Sequence, residues 1–143
     1  ELMIIIAVMG ILSAIAIPSF MSLLPGMRLN GAARQIMGDL MAARMKAVKE
    51  NNEYKVFFNS PSANQYQVLD DDNNDGIADA GEAITTKNIQ DNYVDVSLSA
   101  SSDPIFYPRG TGPTPSCTIT VTSSATGQSK LVKAHLTGRV KIE

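Results

Sequence analysis

Residues 1–24 read ELMIIIAVMGILSAIAIPSFMSLL. From Leu2 to Leu24, 18 of 23 residues are apolar, and no residue from Leu2 to Met27 is charged. A bilayer core of about 30 Å takes about 20 such residues in a helix, so the run is long enough to span one. A secretory signal peptide has a shorter apolar region, about 7–15 residues, ending at a small-residue cleavage site. This run is longer and passes directly into a second helical pattern, which argues against its removal. The other residues of the 143-residue chain are only about 38% apolar, the low end for a globular chain. One hydrophobic segment plus one domain follows. An ordinary soluble monomer with a buried N-terminus is excluded, and at this length a large multidomain enzyme is not expected.

The second pattern begins at once. Leu29, Ala33, Ile36, Leu40, Ala43 and Ala47 step by four and three, with Met37, Met41 and Val48 widening the stripe. That spacing predicts an amphipathic helix continuous with the first. About 50 helical residues make a rod near 75 Å long. Pro18, and Pro25 with Gly26, are the expected points of kinking or local melting, because proline lacks the amide donor and clashes with the preceding turn. All seven methionines fall within the first 45 positions, where they serve as adaptable packing between helices.

After Asn51 and Asn52 the period shortens. Strands are expected at 54–58, 65–69, 93–98, 105–107, 117–122, 130–136 and 139–142. Cys117, Ile119 and Val121 alternate with threonines, as in a half-buried strand. Val132, Ala134 and Leu136 are expected to share one face, with Leu131, Lys133 and His135 on the other. Glycines and prolines punctuate the gaps. The fold class is α+β, a long N-terminal helix (a membrane-spanning half plus an amphipathic half) packed on antiparallel sheet. The chain divides into a hydrophobic span, 1–25, an amphipathic continuation, 26–52, and a β-rich head, 53–143.

Glu1, Gly10, Ala14, Ile15, Ala16, Ile17 and Pro18 together resemble the N-terminal motif of type IV pilins and pseudopilins. The stretches FYPRGTG (106–112), CTITVT (117–122) and GQSKLVKAHLTGRVKI (127–142) resemble the GspH/FimT-type pseudopilins, which commonly end in a Thr-Gly-Arg strand. The resemblance implies that Glu1 and Pro18 are assembly residues, Glu1 pairing with a neighbouring subunit's terminal amine. It also implies a prepilin peptidase and an assembly platform as partners. The chain would sit in the inner membrane before assembly, then in a periplasmic or extracellular filament of itself or other pilin-like subunits. Excess lysine and arginine at 28–49 would by itself place that side in the cytoplasm. A basic leader ahead of Glu1, which the resemblance implies, restores the opposite orientation.

The net charge of -2 conceals blocks: +4 over 28–49, -8 over 70–103 and +4 over 109–143. Opposed blocks suit self-association or localised sites better than a global nucleic-acid binder. Asp71 to Glu82, DDNNDGIADAGE, has the spacing of a calcium loop. Asp71, Asn73 and Asp75 alternate, Gly76 turns tightly, Ile77 offers a carbonyl, Asp79 a side chain or bridged water, and Glu82 a bidentate carboxylate. A hard cation needs six or seven oxygens around one turn, and six acids from Asp70 to Glu82 with no base repel one another without it. Ala78 replaces the usual branched residue and a strand precedes the loop, so an isolated loop is expected, not an EF-hand. The alternative is a solvated acidic turn.

Arg139 and Lys141, with Arg109 nearby, form a basic set that the resemblance links to DNA contact in some minor pilins. No aromatic stands near to stack on bases, and a solvated strand face is the plainer reading. Cys117 is the single cysteine, so there is no intrachain disulfide and no cysteine-based metal site; around His135, the single histidine, no Ser/His/Asp or Cys/His set assembles convincingly. The sequence reads as a structural filament subunit rather than an enzyme. A DNA-binding minor pilin and a membrane-anchored periplasmic domain that never polymerises are the alternatives.

Overall fold

The computed structural model describes residues 2–143; Glu1, and with it the expected assembly carboxylate, lies outside the described residues. A single α-helix, α1, runs from Leu2 to Glu50. It passes through Pro18 and Pro25 without interruption, so the expected local melting is absent. Each proline removes one intrahelical bond, and the flanking turns carry the helix across. The helix ends in a left-handed cap. Asn51 has φ 57° and the Asn52 amide donates to the Ala47 carbonyl at 3.2 Å, satisfying one of the carbonyls a helix end leaves free.

The two halves of α1 meet different surroundings. Leu29, Ala32, Ala33, Ile36, Leu40, Ala43 and Ala47 are buried, and the four alanines let the sheets approach the helix axis closely. From Leu2 to Leu23, fourteen large apolar side chains are exposed. An 18-residue window there has mean hydropathy 2.5, with none of it buried. Each such side chain left in water forgoes about 1.5–3 kcal/mol of burial. Met41 and Val48, expected to widen the buried stripe, are instead exposed; the helix contacts the sheets over a narrower arc than its apolar surface covers.

Eight strands follow: β1 (Glu53–Phe58), β2 (Gln65–Asp71), β3 (Ile84–Asn88), β4 (Val96–Ala100), β5 (Ile105–Phe106), β6 (Cys117–Ser123), β7 (Ser129–Ala134) and β8 (Val140–Ile142), with a 3-10 turn at Ile89–Asp91. They form two antiparallel sheets, ordered β3-β2-β1-β5 and β4-β6-β7-β8. α1 packs on β1 and β5 of the first and on all four strands of the second. Tyr54, Val56 and Phe106 from one sheet and Ile119, Val121, Val132 and Ala134 from the other bury against the helix stripe in one cluster.

Strand β3 was not expected, because its Ile84, Thr85 and Thr86 are all exposed and carry no alternation. Tyr93 lies in a turn, β4 beginning at Val96. Leu136 is exposed because β7 stops at Ala134 and the chain turns, so the alternation that buries Val132 and Ala134 no longer applies. One further burial matters for the site. Leu69 and Asp71 are wholly buried, yet they point away from the face of β2 that carries Tyr66 and Val68, and Leu69 is outside the main cluster. The segment after β2 folds back over this outer face.

Candidate functional site

That returning segment is the acidic turn. Both carboxylate oxygens of Asp71 accept backbone N–H bonds, from Asp75 at 3.2 Å and Gly76 at 2.6 Å. Gly76 has φ 74°, a conformation that glycine adopts freely. Asn73 Oδ1 accepts from the Asp75 amide at 3.0 Å, while its Nδ2 donates to Asp75 Oδ2 at 3.2 Å and Asp79 Oδ2 at 2.9 Å. The Asp79 amide donates to Glu82 Oε2 at 2.8 Å. Glu82 Oε1 is buried with no hydrogen-bond partner. Lys55, from β1, donates to the Gly76 carbonyl at 2.7 Å.

All six expected positions therefore lie on one folded turn, with Ile77 exposed at its tip. Asp75 and Asp79 converge on one shared amide donor, and a carboxylate oxygen of Glu82 on the same turn is left without a partner. This all-oxygen donor set suits a hard cation. The described residues do not, however, bring three acidic, histidine or cysteine side chains together around a single point; Asp71 is taken up by backbone amides.

The turn is fastened to the end of α1. Asn52 Nδ2 donates to Asp70 Oδ1 at 2.9 Å and Asp72 Oδ1 at 2.7 Å, and the Glu53 amide donates to Asn74 Oδ1 at 3.0 Å. Burial, reinforced by the Asp71 charge, raises the Glu53 carboxyl above its usual range. Tyr54 bonds to Glu50; burial, then its bonds to Glu50 and Asp70, push its phenol upward.

The basic residues divide. Arg139 and Lys141 line a cleft of about 340 Å³ with Ser116, His135, Leu136 and Thr137. Arg109 is not among its walls but sits on the neighbouring turn. Lys141 and Lys133 both pair with Glu143. Their two bonds hold the Glu143 carboxyl at about 2. Among the described residues Arg109 and Arg139 have no ionic partner.

Two polar clasps were not expected from the sequence. Arg44 Nε, on α1, donates to the Gly110 carbonyl at 2.8 Å, and Gly138 lies against both groups. This ties the FYPRGTG and Thr-Gly-Arg stretches to the helix. On the other side, the buried Tyr66 hydroxyl donates to Asp39 Oδ2 at 2.5 Å and accepts from Gln35 Nε2 at 3.2 Å, while Lys87 on β3 donates to Asp39 Oδ1 at 2.7 Å. Burial and the Asp39 bond raise the Tyr66 phenol. A lone arginine or aspartate on a helical face carries no sequence signal of such distant partners.

A search of curated proteins finds no match. Among solved structures, the chain is similar to the type IV minor pilin FimU of Pseudomonas aeruginosa, at 16% identity and TM-score 0.59, covering 80% of this chain and 87% of that one. It is similar also to the minor pseudopilin EpsH from the type 2 secretion system of Vibrio cholerae, at 10% identity and TM-score 0.62, covering 81% and 96%. At these identities the likeness is one of fold. The family model of the type II transport protein GspH matches residues 32–138, about three quarters of the chain. That match runs from the first buried alanines of α1 to Gly138 in the Arg44 clasp, and it establishes that this chain belongs to the GspH family.

Proposed function

We propose that this chain is a structural, non-catalytic subunit of a type IV pilus-like or type II secretion filament, assembled through α1. The observation that carries this reading is the helix itself, one continuous element with a buried half in the head and an apolar half with nothing against it. That half suits the inner membrane before assembly and the apolar core of a filament afterwards. A prepilin peptidase and an assembly platform are the machinery such a subunit needs. A simple membrane anchor has no use for a carboxylate at Glu1. The test is the full chain expressed with its assembly machinery, comparing the sheared filament fraction of wild type and Glu1→Ala. Loss of the chain from that fraction is expected; an unchanged amount removes the assembly role of Glu1.

In the same reading, Asp71, Asn73, Asp75, Ile77, Asp79 and Glu82 hold one calcium ion outside the cell. The orphaned Glu82 oxygen and the convergence of Asp75 and Asp79 support it. Extracellular calcium modules bind at about 0.1–1 mM, and magnesium fits such sites poorly. A ligand at 100 times its dissociation constant stabilises by about 2.7 kcal/mol. The melting temperature of the detergent-solubilised full chain is expected to rise with calcium and not with magnesium, and Glu82→Gln is expected to abolish the rise. A wild-type melt indifferent to calcium returns these acids to a solvated turn.

A DNA-binding minor pilin is the second reading, favoured by the cleft that gathers Arg139, Lys141 and His135. The pairing of Lys141 with Glu143 weakens it.

A further inference from the structure

The head meets the apolar half of α1 without a linker. Every residue from Leu2 to Leu23 is exposed, whereas Leu24, Pro25 and Gly26 are half-buried. The head therefore begins to cover the helix where its long apolar run ends. Leu2 to Leu23 rise about 33 Å along the axis, against about 30 Å for a bilayer's hydrocarbon core. A helix that fills such a core brings the lower end of the head directly onto the lipid surface.

Strand β6 shows which part of the head is lowest. At one end Cys117 pairs with Ala134, just before the turn whose Gly138 lies against Arg44. At the other end Ser123 Oγ donates to Asp95 Oδ2 at 3.2 Å, and Arg28 pairs with Asp95 Oδ1 at 3.3 Å. Arg44 and Arg28 are about 24 Å apart along α1, and a seven-residue strand spans about 23 Å. So β6 runs down the helix towards its apolar half. The hairpin at 124–128 that follows is exposed throughout. The Ser124 amide donates to the Asp95 carbonyl at 2.8 Å, which joins this hairpin to the Val94 turn in one lower rim.

The rim has the chemistry of a headgroup contact. Val94, 68% exposed, is the most exposed large apolar side chain of the head among the described residues. Ile77, Ile84 and Leu136 belong to the acidic turn, the start of β3 and the basic cleft, all towards the other end of α1. No residue from Thr111 to Ser129 is charged, and Arg28 and Asp95 neutralise each other. Lys130 follows at once, without an ionic partner among the described residues, and a lysine stem is long enough to carry its ammonium to nearby phosphates. Asp91, the other acid in this region, stands beside Gln35, about 10 Å higher. Arg28 lies about 7 Å beyond Leu23, at the level of a headgroup layer about 5–8 Å thick.

We propose that this rim docks on the phospholipid surface from which the head emerges, Val94 dipping into the interface and Lys130 meeting lipid phosphates. The bilayer then fixes the orientation of the head before assembly, and extraction of the subunit breaks the contact. This rests on the reading of α1 as a membrane span. Because the helix itself tethers the rim at the surface, even a weak contact is populated.

The test is fluorescence quenching of the full chain in vesicles of phosphatidylethanolamine and phosphatidylglycerol. The lipids carry a spin label at either the headgroup end or the tail end of the acyl chain. A fluorophore is placed on Val94→Cys, on Ile77→Cys as the reference far from the membrane, and on Leu12→Cys as the reference within the span. All three positions are exposed, and the parent chain controls for the buried Cys117. The headgroup-end label is expected to quench position 94 at least about twofold more than position 77, the depth of an interfacial contact. Lys130→Glu is expected to reduce that excess; an undiminished excess overturns the phosphate contact. Equal quenching at 94 and 77, with Leu12→Cys quenched by the tail-end label, overturns the docking and leaves the span standing. Leu12→Cys unquenched by the tail-end label overturns the span and the docking together.

Discussion

Gly138→Ala tests the clasp between α1 and the Thr-Gly-Arg turn. Gly138 has φ 77°, where an L-residue costs roughly 1–2 kcal/mol. A methyl there falls within 2.5 Å of Arg44 Nε, and still closer to the Gly110 carbonyl oxygen. Neither can retreat without opening the bond between them, which costs a further 1.5–3 kcal/mol or so as a hydrogen bond from a charged donor. About 2.5–5 kcal/mol is therefore expected. Gly127 is the internal control, with φ 70° and nothing near a methyl, so Gly127→Ala carries the backbone cost alone. At roughly 4 °C per kcal/mol for a head of this size, melting should fall by at least about 10 °C for Gly138→Ala and by about 4–8 °C for Gly127→Ala. Calorimetry of the detergent-solubilised chain measures both. Equal shifts in the two variants would refute the steric argument and with it the clasp.

Tyr66→Phe removes the hydroxyl between Asp39 and Gln35 and is expected to cost about 1.5–3 kcal/mol, read as a lowered urea midpoint; Lys87→Met should then cost less in that background than in wild type, because both act through Asp39. Glu143 has its folded carboxyl lowered from 4.5 to about 2. Its contribution is thus present above pH 4.5 and lost as the pH falls towards 2; Glu143→Gln should flatten that part of the stability curve, and salt should shrink the difference because the group is exposed. If the basic cleft serves DNA, Arg139→Ala with Lys141→Ala should reduce the log-log salt slope by about 0.9 for each phosphate no longer neutralised; equal gel shifts for wild type and double variant leave only a strand face.

The helix was legible because burial at Leu29, Ala33, Ile36, Leu40, Ala43 and Ala47 imposes its period on the sequence. Met41 and Val48 misled because apolar spacing records that a side chain avoids water without recording which partner it meets. Strand β3 was invisible for the opposite reason: Ile84 to Thr86 hold their place by backbone pairing with β2, which leaves no pattern in the side chains. The acidic turn was readable from spacing alone, since its six positions are local. Its folding back over Leu69 and its bonds to Asn52 were not, being set by tertiary contact. Arg44, Gly110 and Gly138 lie far apart in the chain, and only the finished fold brings them together.

The position of α1 in the core constrains the order in which the head can form. Strands from both sheets, β1 at the start of the head and β8 at residues 140–142, bury against alanines that are synthesised before them. Val140 joins the same cluster as Ala43 across nearly a hundred residues. Contacts of such long sequence separation are slow to close, and the second sheet lacks one of its two edge strands until residues 140–142 are available. The head is therefore expected to complete itself late, on a helix already made, with its strand edges unprotected until then. A truncation that removes β8 should leave a tethered, partly paired chain that is degraded, not a smaller folded head.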